Sequence, residues 1–126
     1  MPRTGNLLSL SREHHLSLVM ARTARKAASS GDAAVISAAI KQMEVHWQSV
    51  LAKHFAQEEA MLRDAVGTLS AEAIARVLAE HAALRALACE SHHLDCSVRL
   101  HRFGELLAQH VRYEERELFP LLQLPE

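Results

Sequence analysis

The chain has 126 residues, 49% of them hydrophobic and 23% charged, which predicts one globular domain over residues 1–126 rather than a disordered chain. Glycine, proline and aromatic residues are few, which disfavours β-sandwiches and barrels and favours an all-α fold. The net charge of −1, without a block of like charges, gives no indication of a nucleic-acid or membrane-surface partner.

The predicted location of the protein is the cytoplasm. No apolar run approaches the roughly 18 residues of a membrane span, and the apolar stretch near the N-terminus is too short and interrupted for a secretory signal. The two cysteines, Cys89 and Cys96, are too few for a disulfide framework and fit a reducing compartment. The sequence leaves the oligomeric state open.

Turn-forming residues divide the chain into a short N-terminal arm and four predicted helices. The arm covers residues 1–9, and its Leu7 and Leu8 are candidates for packing on the rest of the protein. To within a few residues, the predicted helices are 11–28, 33–65, 71–90 and 96–118.

Loops are predicted between these helices and at the C-terminal end. Ser70 and Asp95 suit the N-cap positions of the third and fourth helices. Pro120 and Pro125 mark the end of the last helix. The predicted loops and turns are 29–32, 67–70, 91–95 and 119–122.

Apolar residues recur three and four positions apart in each predicted helix, so their side chains share one face. Four amphipathic helices with short connections predict an antiparallel up-down four-helix bundle. The candidate core residues of the last three helices are Met43, Trp47, Leu51, Met61, Leu62, Ile74, Val77, Leu78, Leu84, Ala88, Phe103, Leu106, Leu107, Leu118 and Leu121.

Two histidine–glutamate pairs lie on these apolar faces. His54 and Glu58 are four residues apart, as are His110 and Glu114, so each pair spans one helical turn on a single face. A carboxylate that points into an apolar core is costly unless it is paired or binds a metal. The two pairs therefore predict a polar or metal-binding site inside the bundle.

A weak internal repeat adds one histidine from each of the other two helices. Glu13-His14 and Glu80-His81 occupy matching places in the two halves of the chain, which indicates a pseudo-twofold axis. Imidazole nitrogen binds borderline divalent metals readily, and carboxylates can bridge two ions. The sequence therefore predicts a dinuclear metal site with ligands from all four helices.

The order of these residues resembles the hemerythrin-like (HHE cation-binding) domain family from residue 10 to about residue 123. The resemblance implies a hemerythrin-like four-helix bundle with two non-haem iron ions (Fe), bridged by an oxo or hydroxo group and by two glutamates. It rests on Arg12-Glu13-His14, His54-Phe55, Glu58-Glu59, Glu80-His81, and Glu114-Glu115 before Leu118-Phe119-Pro120. The metal ligands that it implies are His14, His54, Glu58, His81, His110 and Glu114.

The chain departs from the oxygen-carrying hemerythrins, which have a His-x-x-x-His pair on the third helix and an Asp five residues after the last histidine. Here Val77 and Arg85 flank His81 by one turn, and Glu114 and Glu115 follow His110 at four and five residues. Fewer protein ligands leave more open positions on the metals. The resemblance therefore implies binding or sensing of a small diatomic ligand, oxygen or nitric oxide, or of iron status.

Two functions of other classes stay open. The first is a di-iron enzyme, such as a nitric-oxide or peroxide reductase or an iron–sulfur cluster repair protein, so the sequence does not decide whether the chain is an enzyme. The second is a purely structural bundle, in which buried polar side chains fix the register of the helices.

The roles of several neighbouring residues also stay open. His15 is an alternative ligand to His14 if the phase of the first helix differs. Solvated positions or hydrogen bonds to the ligands are expected for Glu13, Glu59, Glu80 and Glu115, with coordination left open for Glu59 and Glu115.

Further histidines, aromatic residues and cysteines have default structural interpretations. His46 is predicted to be partly exposed and His101 solvent-exposed. Trp47 is predicted to lie in the core and Tyr113 to pack at the edge of the bundle. A zinc site or a redox switch is an open alternative for Cys89, His92, His93 and Cys96.

Overall fold

A computed structural model describes residues 5–91 and 93–122 of the chain. The chain is 87% helical, and these residues contain no strand, so the predicted all-α antiparallel four-helix bundle is confirmed. The helices are α1 (Gly5–Ala28), α2 (Ala33–His46), α3 (Ala52–Asp64), α4 (Ala71–Cys89), α5 (Cys96–Tyr113) and α6 (Phe119–Leu122).

Two π-helical segments make the second and fourth rods of the bundle continuous. The first π segment, Trp47–Leu51, joins α2 to α3, and the second, Glu114–Leu118, joins α5 to α6. Each ends with a backbone N–H that donates five residues back, from Ala52 to Trp47 and from Phe119 to Glu114. Such segments frequently mark functional sites.

Side-chain caps begin three of the helices where the sequence places short polar residues. Asp32 accepts hydrogen bonds from the backbone N–H groups of Ala34 and Val35, ahead of α2. The predicted caps Ser70 and Asp95 are both confirmed, because their side chains accept backbone hydrogen bonds at the starts of α4 and α5.

The apolar core consists of two clusters. The first apolar cluster joins α1, α2, α4 and α5 and includes the buried side chains of Met43, Phe103 and Leu107. The second apolar cluster includes Leu10 and Phe119 at the other end of the rods. On each rod a buried polar residue separates the two clusters, so a polar layer crosses the bundle between them.

Helices α1 and α5 pack closely at Gly104. A Cβ atom at this position would lie 2.7 Å from the carbonyl oxygen of Ala21 and 2.7 Å from Cγ of Arg25. Ala21 and Ala24 opposite are fully buried. Small residues on both helices therefore allow their backbones to approach, which sets the spacing of the rods that carry the polar layer.

A buried arginine at the start of α5 binds the C-terminal end of α4. Arg99 donates hydrogen bonds of 2.6 Å to the carbonyl oxygens of both Leu87 and Ala88. These carbonyls belong to the last turn of α4, which has no intrahelical donors. Arg99 thereby satisfies the end of α4 and fixes the direction in which α5 returns.

The N-terminal arm predicted at residues 1–9 is wrong within the described part, because α1 begins at Gly5. Leu7, Leu10 and His14 share one helical face, and Leu10 is 1% exposed in the second apolar cluster. This burial explains why the helix extends to Gly5. Residues 1–4 lie outside the described part of the chain.

Two expectations for the C-terminal half are also wrong. Residues 119–122 form α6 rather than a turn, because the buried Leu118 and Phe119 hold this segment against the second apolar cluster. Leu78 and Leu121 are 42% and 44% exposed rather than core residues, since the apolar stripe is wider than the face that is buried. Pro125 lies outside the described residues.

Within the described ranges, no helix is both long and apolar enough to cross a membrane.

Candidate metal centre

The polar layer contains the six residues predicted as metal ligands, and the side chains of all six converge there. None of the six is more than 4% exposed. Every rod of the bundle contributes at least one of them. This inner cluster consists of His14, His54, Glu58, His81, His110 and Glu114.

The inner cluster divides into two groups that could each hold a metal ion. One group brings together His14, His54, Glu58 and Glu114. The other combines the same two glutamates with His81 and His110, and in each group the ligand atoms lie within 4.8 Å of one another. Both glutamates are therefore shared between the two groups.

The carboxylate of Glu58 divides its two oxygens between the groups. Its Oε2 lies 3.1 Å from Nε2 of His54 and 3.6 Å from Nε2 of His14. Its Oε1 lies 2.9 Å from Nε2 of His81 and 3.9 Å from Nε2 of His110. Glu58 thus faces one histidine pair with each oxygen.

Glu114 divides its oxygens in the same way. Its Oε1 lies 2.8 Å from Nε2 of His14, and its Oε2 lies 3.3 Å from Nε2 of His110. Like Glu58, it lies between the two groups, which is the placement that a carboxylate bridging two cations requires.

A carboxylate binds the outward-facing nitrogen of every histidine in the inner cluster. An ionised carboxylate only accepts hydrogen bonds, so each imidazole donates from Nδ1, and a neutral ring then presents the lone pair of Nε2 to the interior. These outer carboxylates form hydrogen bonds from His14 to Glu115 (2.7 Å), His54 to Glu13 (2.9 Å), His81 to Glu59 (2.8 Å) and His110 to Glu80 (2.8 Å).

These four hydrogen bonds close a ring around the bundle. The outer carboxylate of α1 binds the histidine of α3, and that of α3 binds the histidine of α4. The outer carboxylate of α4 binds the histidine of α5, and that of the second π segment binds the histidine of α1. Each rod therefore orients the histidine of the next one.

The interior of the inner cluster is rich in unsatisfied acceptors. Within the described part of the chain, five buried side-chain atoms have no hydrogen-bond partner, and all five belong to this cluster. Buried lone pairs without a donor are costly, and cations would satisfy them. The donor set therefore fits a pair of metal ions. The five atoms are His14 Nε2, Glu58 Oε2, His110 Nε2, Glu114 Oε1 and Glu114 Oε2.

The family to which the chain belongs follows from a comparison with known protein families. A sequence model of the hemerythrin HHE cation-binding domain matches residues 7–122. The chain belongs to this family. The match spans nearly the whole chain and confirms the resemblance carried by the histidine and glutamate motifs. No curated protein and no solved structure gives a significant match.

The electrostatics of this HHE domain favour positive charge within the inner cluster. Burial alone lowers the pKa of His14, but the close carboxylates of Glu114 and Glu58 outweigh it and raise the pKa to about 10. The same two glutamates raise the pKa of His110 against the effect of burial. Burial raises the pKa of Glu58, and the surrounding histidines lower it well below its ordinary value. Without metal ions, protons therefore supply the positive charge.

Aromatic rings hold two of the imidazoles in this HHE domain. The ring of Phe55 stacks on His81, with ring centres 3.8 Å apart and planes 11° apart. On the other side of the inner cluster, Phe119 stacks on His14 with ring centres 5.2 Å apart. The stacked rings fix the imidazole planes and keep water from those faces of the site.

A groove of about 680 Å³ runs between α3 and α4 and reaches His81. Trp47, Phe55 and Leu78 contribute apolar wall, and Arg85 and Glu59 contribute charged groups. His81 itself is 4% exposed. The groove therefore brings solvent-accessible space next to one side of the inner cluster.

The structure also places the residues whose roles the sequence leaves open. His15 is exposed and lies outside both metal-ligand groups, as do Glu59 and Glu115. The prediction that His101 is exposed is confirmed, and so is the partial burial of His46, whose Nε2 lies 3.1 Å from Ser17 Oγ. Tyr113 is half-buried, as packing at the bundle edge requires.

The cysteine-containing segment has no place in the metal-ligand groups of the described residues. Cys89 and Cys96 are exposed free thiols, and His93 is exposed. His92 lies outside the described residues. A zinc site or redox switch in this segment therefore stays a prediction.

Two residues that support the outer carboxylates are not among those predicted from the sequence. Ser11 Oγ donates to Glu115 at 2.8 Å, and Arg76 Nε donates to Glu80 at 3.3 Å. The second contact had a signal in the sequence, since Arg76 precedes Glu80 by four residues. The contact between Ser11 and Glu115 joins two distant parts of the chain, and no sequence pattern indicates it.

Proposed function

We propose that the chain binds two iron ions in the inner cluster and there binds or senses a small diatomic ligand, oxygen or nitric oxide, or responds to iron status. One observation carries the proposal. Two groups of buried donors share the carboxylates of Glu58 and Glu114, and each carboxylate has one oxygen toward each group. A pair of cations accounts for this division, whereas a network of neutral imidazoles and ionised carboxylates leaves five buried atoms without partners.

The residues that would hold the ions divide by group. His14 and His54 would bind one ion, His81 and His110 the other, and the two glutamates would bridge them. Membership of a cation-binding family supports the binding of metal, and imidazole with carboxylate suits iron. When bound, iron with open coordination positions supplies binding of small molecules and electron transfer.

The chain's own residues control access to this centre. The outer carboxylates hold each imidazole so that Nε2 faces inward, and the stacked rings of Phe55 and Phe119 exclude water. The groove beside His81 supports a route by which a diatomic molecule reaches the site. The rings of Phe55 and Phe119 place apolar surface beside the inner cluster, which favours the approach of uncharged gases over ions.

An enzymatic role is the second candidate, and the size of the same groove favours it. A volume of about 680 Å³ exceeds what a diatomic ligand needs, and Arg85 and Glu90 supply polar groups along it. Nitric-oxide or peroxide reduction, or iron–sulfur repair, would consume electrons from a donor. Turnover with an electron donor therefore favours this candidate, and reversible stoichiometric binding alone favours the first.

Elemental analysis of anaerobically purified protein, combined with its electronic spectrum, tests the proposal. We expect about two iron ions per chain and near-ultraviolet bands that respond to azide, peroxide or nitric oxide. A matched pair of variants locates the site, because His14 is buried and its neighbour His15 is exposed. His14→Ala should lose iron, and His15→Ala should retain it.

Two outcomes would reject the proposal. The first is protein with no tightly bound metal under these conditions. The second is metal that is retained equally in the His14→Ala and His15→Ala variants, because the ions would then lie elsewhere. A bundle that binds about two zinc or manganese ions and no iron would support the site and overturn the identity of the metal.

A further inference from the structure

A second groove, separate from the inner cluster, lies on the outer surface between α4 and α5. Its volume is about 370 Å³, in the range of sites for small molecules. Its lining is strongly cationic for a chain whose net charge is −1. The lining residues are Arg76, Gln109, Arg112, Tyr113, Arg116 and Glu117.

Three arginines and one glutamate therefore line this groove. Arg112 and Arg116 lie four residues apart, on either side of the start of the second π segment. Arg76 approaches from the neighbouring rod α4. The amide of Gln109 and the hydroxyl of Tyr113 supply hydrogen-bond donors without adding negative charge.

Arg76 is held in place without a ligand. Its Nε donates to Glu80 at 3.3 Å, and its guanidinium carbon lies 3.7 Å from the centre of the Tyr113 ring. Glu80 in turn accepts the hydrogen bond from His110. A prepositioned guanidinium loses less freedom when it binds an anion.

We propose that this groove binds a phosphate dianion, either inorganic phosphate or the phosphate group of a small phosphomonoester. Guanidinium groups match the geometry of phosphate oxygens, and a phosphate can contact arginines from two rods at once. A carboxylate offers two oxygens and one charge, so it engages fewer of these groups. The lining of this groove shares no residue with the inner cluster, so this site is a different one.

Isothermal titration calorimetry of the whole chain, at constant ionic strength in chloride, tests the proposal. The titrants are inorganic phosphate, glucose 6-phosphate and acetate. We expect saturable binding of phosphate or of the phosphomonoester, at least about tenfold tighter than that of acetate. Tighter binding of glucose 6-phosphate identifies an organic phosphate as the ligand, and equal binding identifies free phosphate.

Two arginine variants and one control locate the binding. Arg112→Gln and Arg116→Gln should each weaken phosphate binding by about tenfold. Arg102→Gln, an exposed arginine of the same helix outside the groove, should leave it unchanged. Arg76 is not substituted, because it donates to Glu80, which also accepts the hydrogen bond from His110. A change at Arg76 would therefore act on the inner cluster as well as on the groove.

A variant that binds phosphate more tightly cannot be explained by misfolding, which would weaken binding. Glu117→Gln deletes the one acidic group of the lining, so it should tighten phosphate binding about threefold or more. Absence of saturable binding in the unaltered chain overturns the proposal. So does equal weakening in Arg102→Gln and Arg116→Gln, since general surface charge would then explain the heat. Both outcomes are independent of whether the inner cluster holds iron.

Discussion

The first apolar cluster and the inner cluster are both buried, but they differ in whether their own side chains satisfy one another. Around Gly104 the side chains of α1 and α5 pack against each other with no unsatisfied polar atom among the described residues. In the inner cluster, buried imidazole nitrogens and carboxylate oxygens face each other and need added protons or metal ions between them. The same helical periodicity therefore builds a region stabilised by its own packing and a region whose buried acceptors an added cation would satisfy.

The largest difference between the two regions should come from removing a shared ligand. Glu58→Gln takes a charge from both metal-ligand groups at once, so we expect the metal content to fall from about two ions per chain to one or none. Metal analysis and thermal unfolding measure the effect. At metal concentrations about 1,000 times the dissociation constant, the lost stabilisation is about 4 kcal/mol. Glu72→Gln, an exposed glutamate of α4, is the control.

Unchanged metal content in Glu58→Gln would contradict the division of its two oxygens between the groups. In that case the inner cluster would be a hydrogen-bond network, and the contrast with the apolar region would disappear.

The outer carboxylates should have a smaller effect, because they act through the histidines. Glu80→Gln and Glu13→Gln replace the acceptors of His110 and His54, and we expect each to weaken metal binding by roughly 10–100-fold. Competition with a chelator of known affinity measures the change. Loss of affinity in neither variant would show that the imidazoles are oriented without them. The exposed Glu90→Gln should have no such effect.

A change in the apolar region should affect stability alone. In Gly104→Ala the new methyl group meets Ala21 O and Arg25 Cγ at 2.7 Å, so we expect a net loss of about 1–2 kcal/mol after the gain in helix propensity. Denaturant unfolding measures this loss, and metal content should stay the same. Gly67→Ala is the matched control, since nothing lies within 4 Å of its added Cβ. Loss of metal in Gly104→Ala would mean that the two regions are not independent.

The pH dependence of stability should differ in sign between the metal-free and metal-loaded protein. The pKa of His14 is raised from 6.5 to about 10, so its contribution to metal-free stability is complete below pH 6.5 and is lost as the pH rises to about 10. The lowered pKa of Glu58 gives a contribution that is present above pH 4.5 and is lost on acidification. Metal-free protein should therefore be most stable between about pH 4.5 and 6.5.

Metal binding reverses the upper slope, because the ions require neutral imidazoles and bind more tightly as the pH rises. Denaturant unfolding between pH 6 and 9, with and without metal, measures both curves. Parallel curves would show that metal ions do not replace protons in the inner cluster.

The sequence alone predicted the features that depend on local spacing. His54 with Glu58 and His110 with Glu114 share a helical face because of the four-residue interval, and this interval survives folding. The caps at Ser70 and Asp95 depend on neighbouring backbone groups and were equally predictable. The convergence of the four histidines followed from the bundle as a whole.

The features that the sequence did not predict depend on contacts between rods. Which outer carboxylate binds which histidine is set by the order of rods around the bundle, and Glu115 reaches His14 across more than a hundred residues of chain. The exposure of Leu78 depends on where α3 packs against α4, since the groove opens there. The π segments begin at Trp47 and Glu114, and neither residue type signals such a turn.

Because two rods contain π segments, the number of residues in each of these rods is itself constrained. The first lies between the apolar face of α2, which buries Met43, and the face of α3 that carries His54. Deleting one residue from the α-helical part of this rod between Met43 and His54, with the π turn unchanged, would rotate one face relative to the other by about 100°. Met43 and His54 could not then both face inward. Insertions and deletions in the α-helical parts of this rod should therefore be far less tolerated than substitutions, even at its exposed position Lys53.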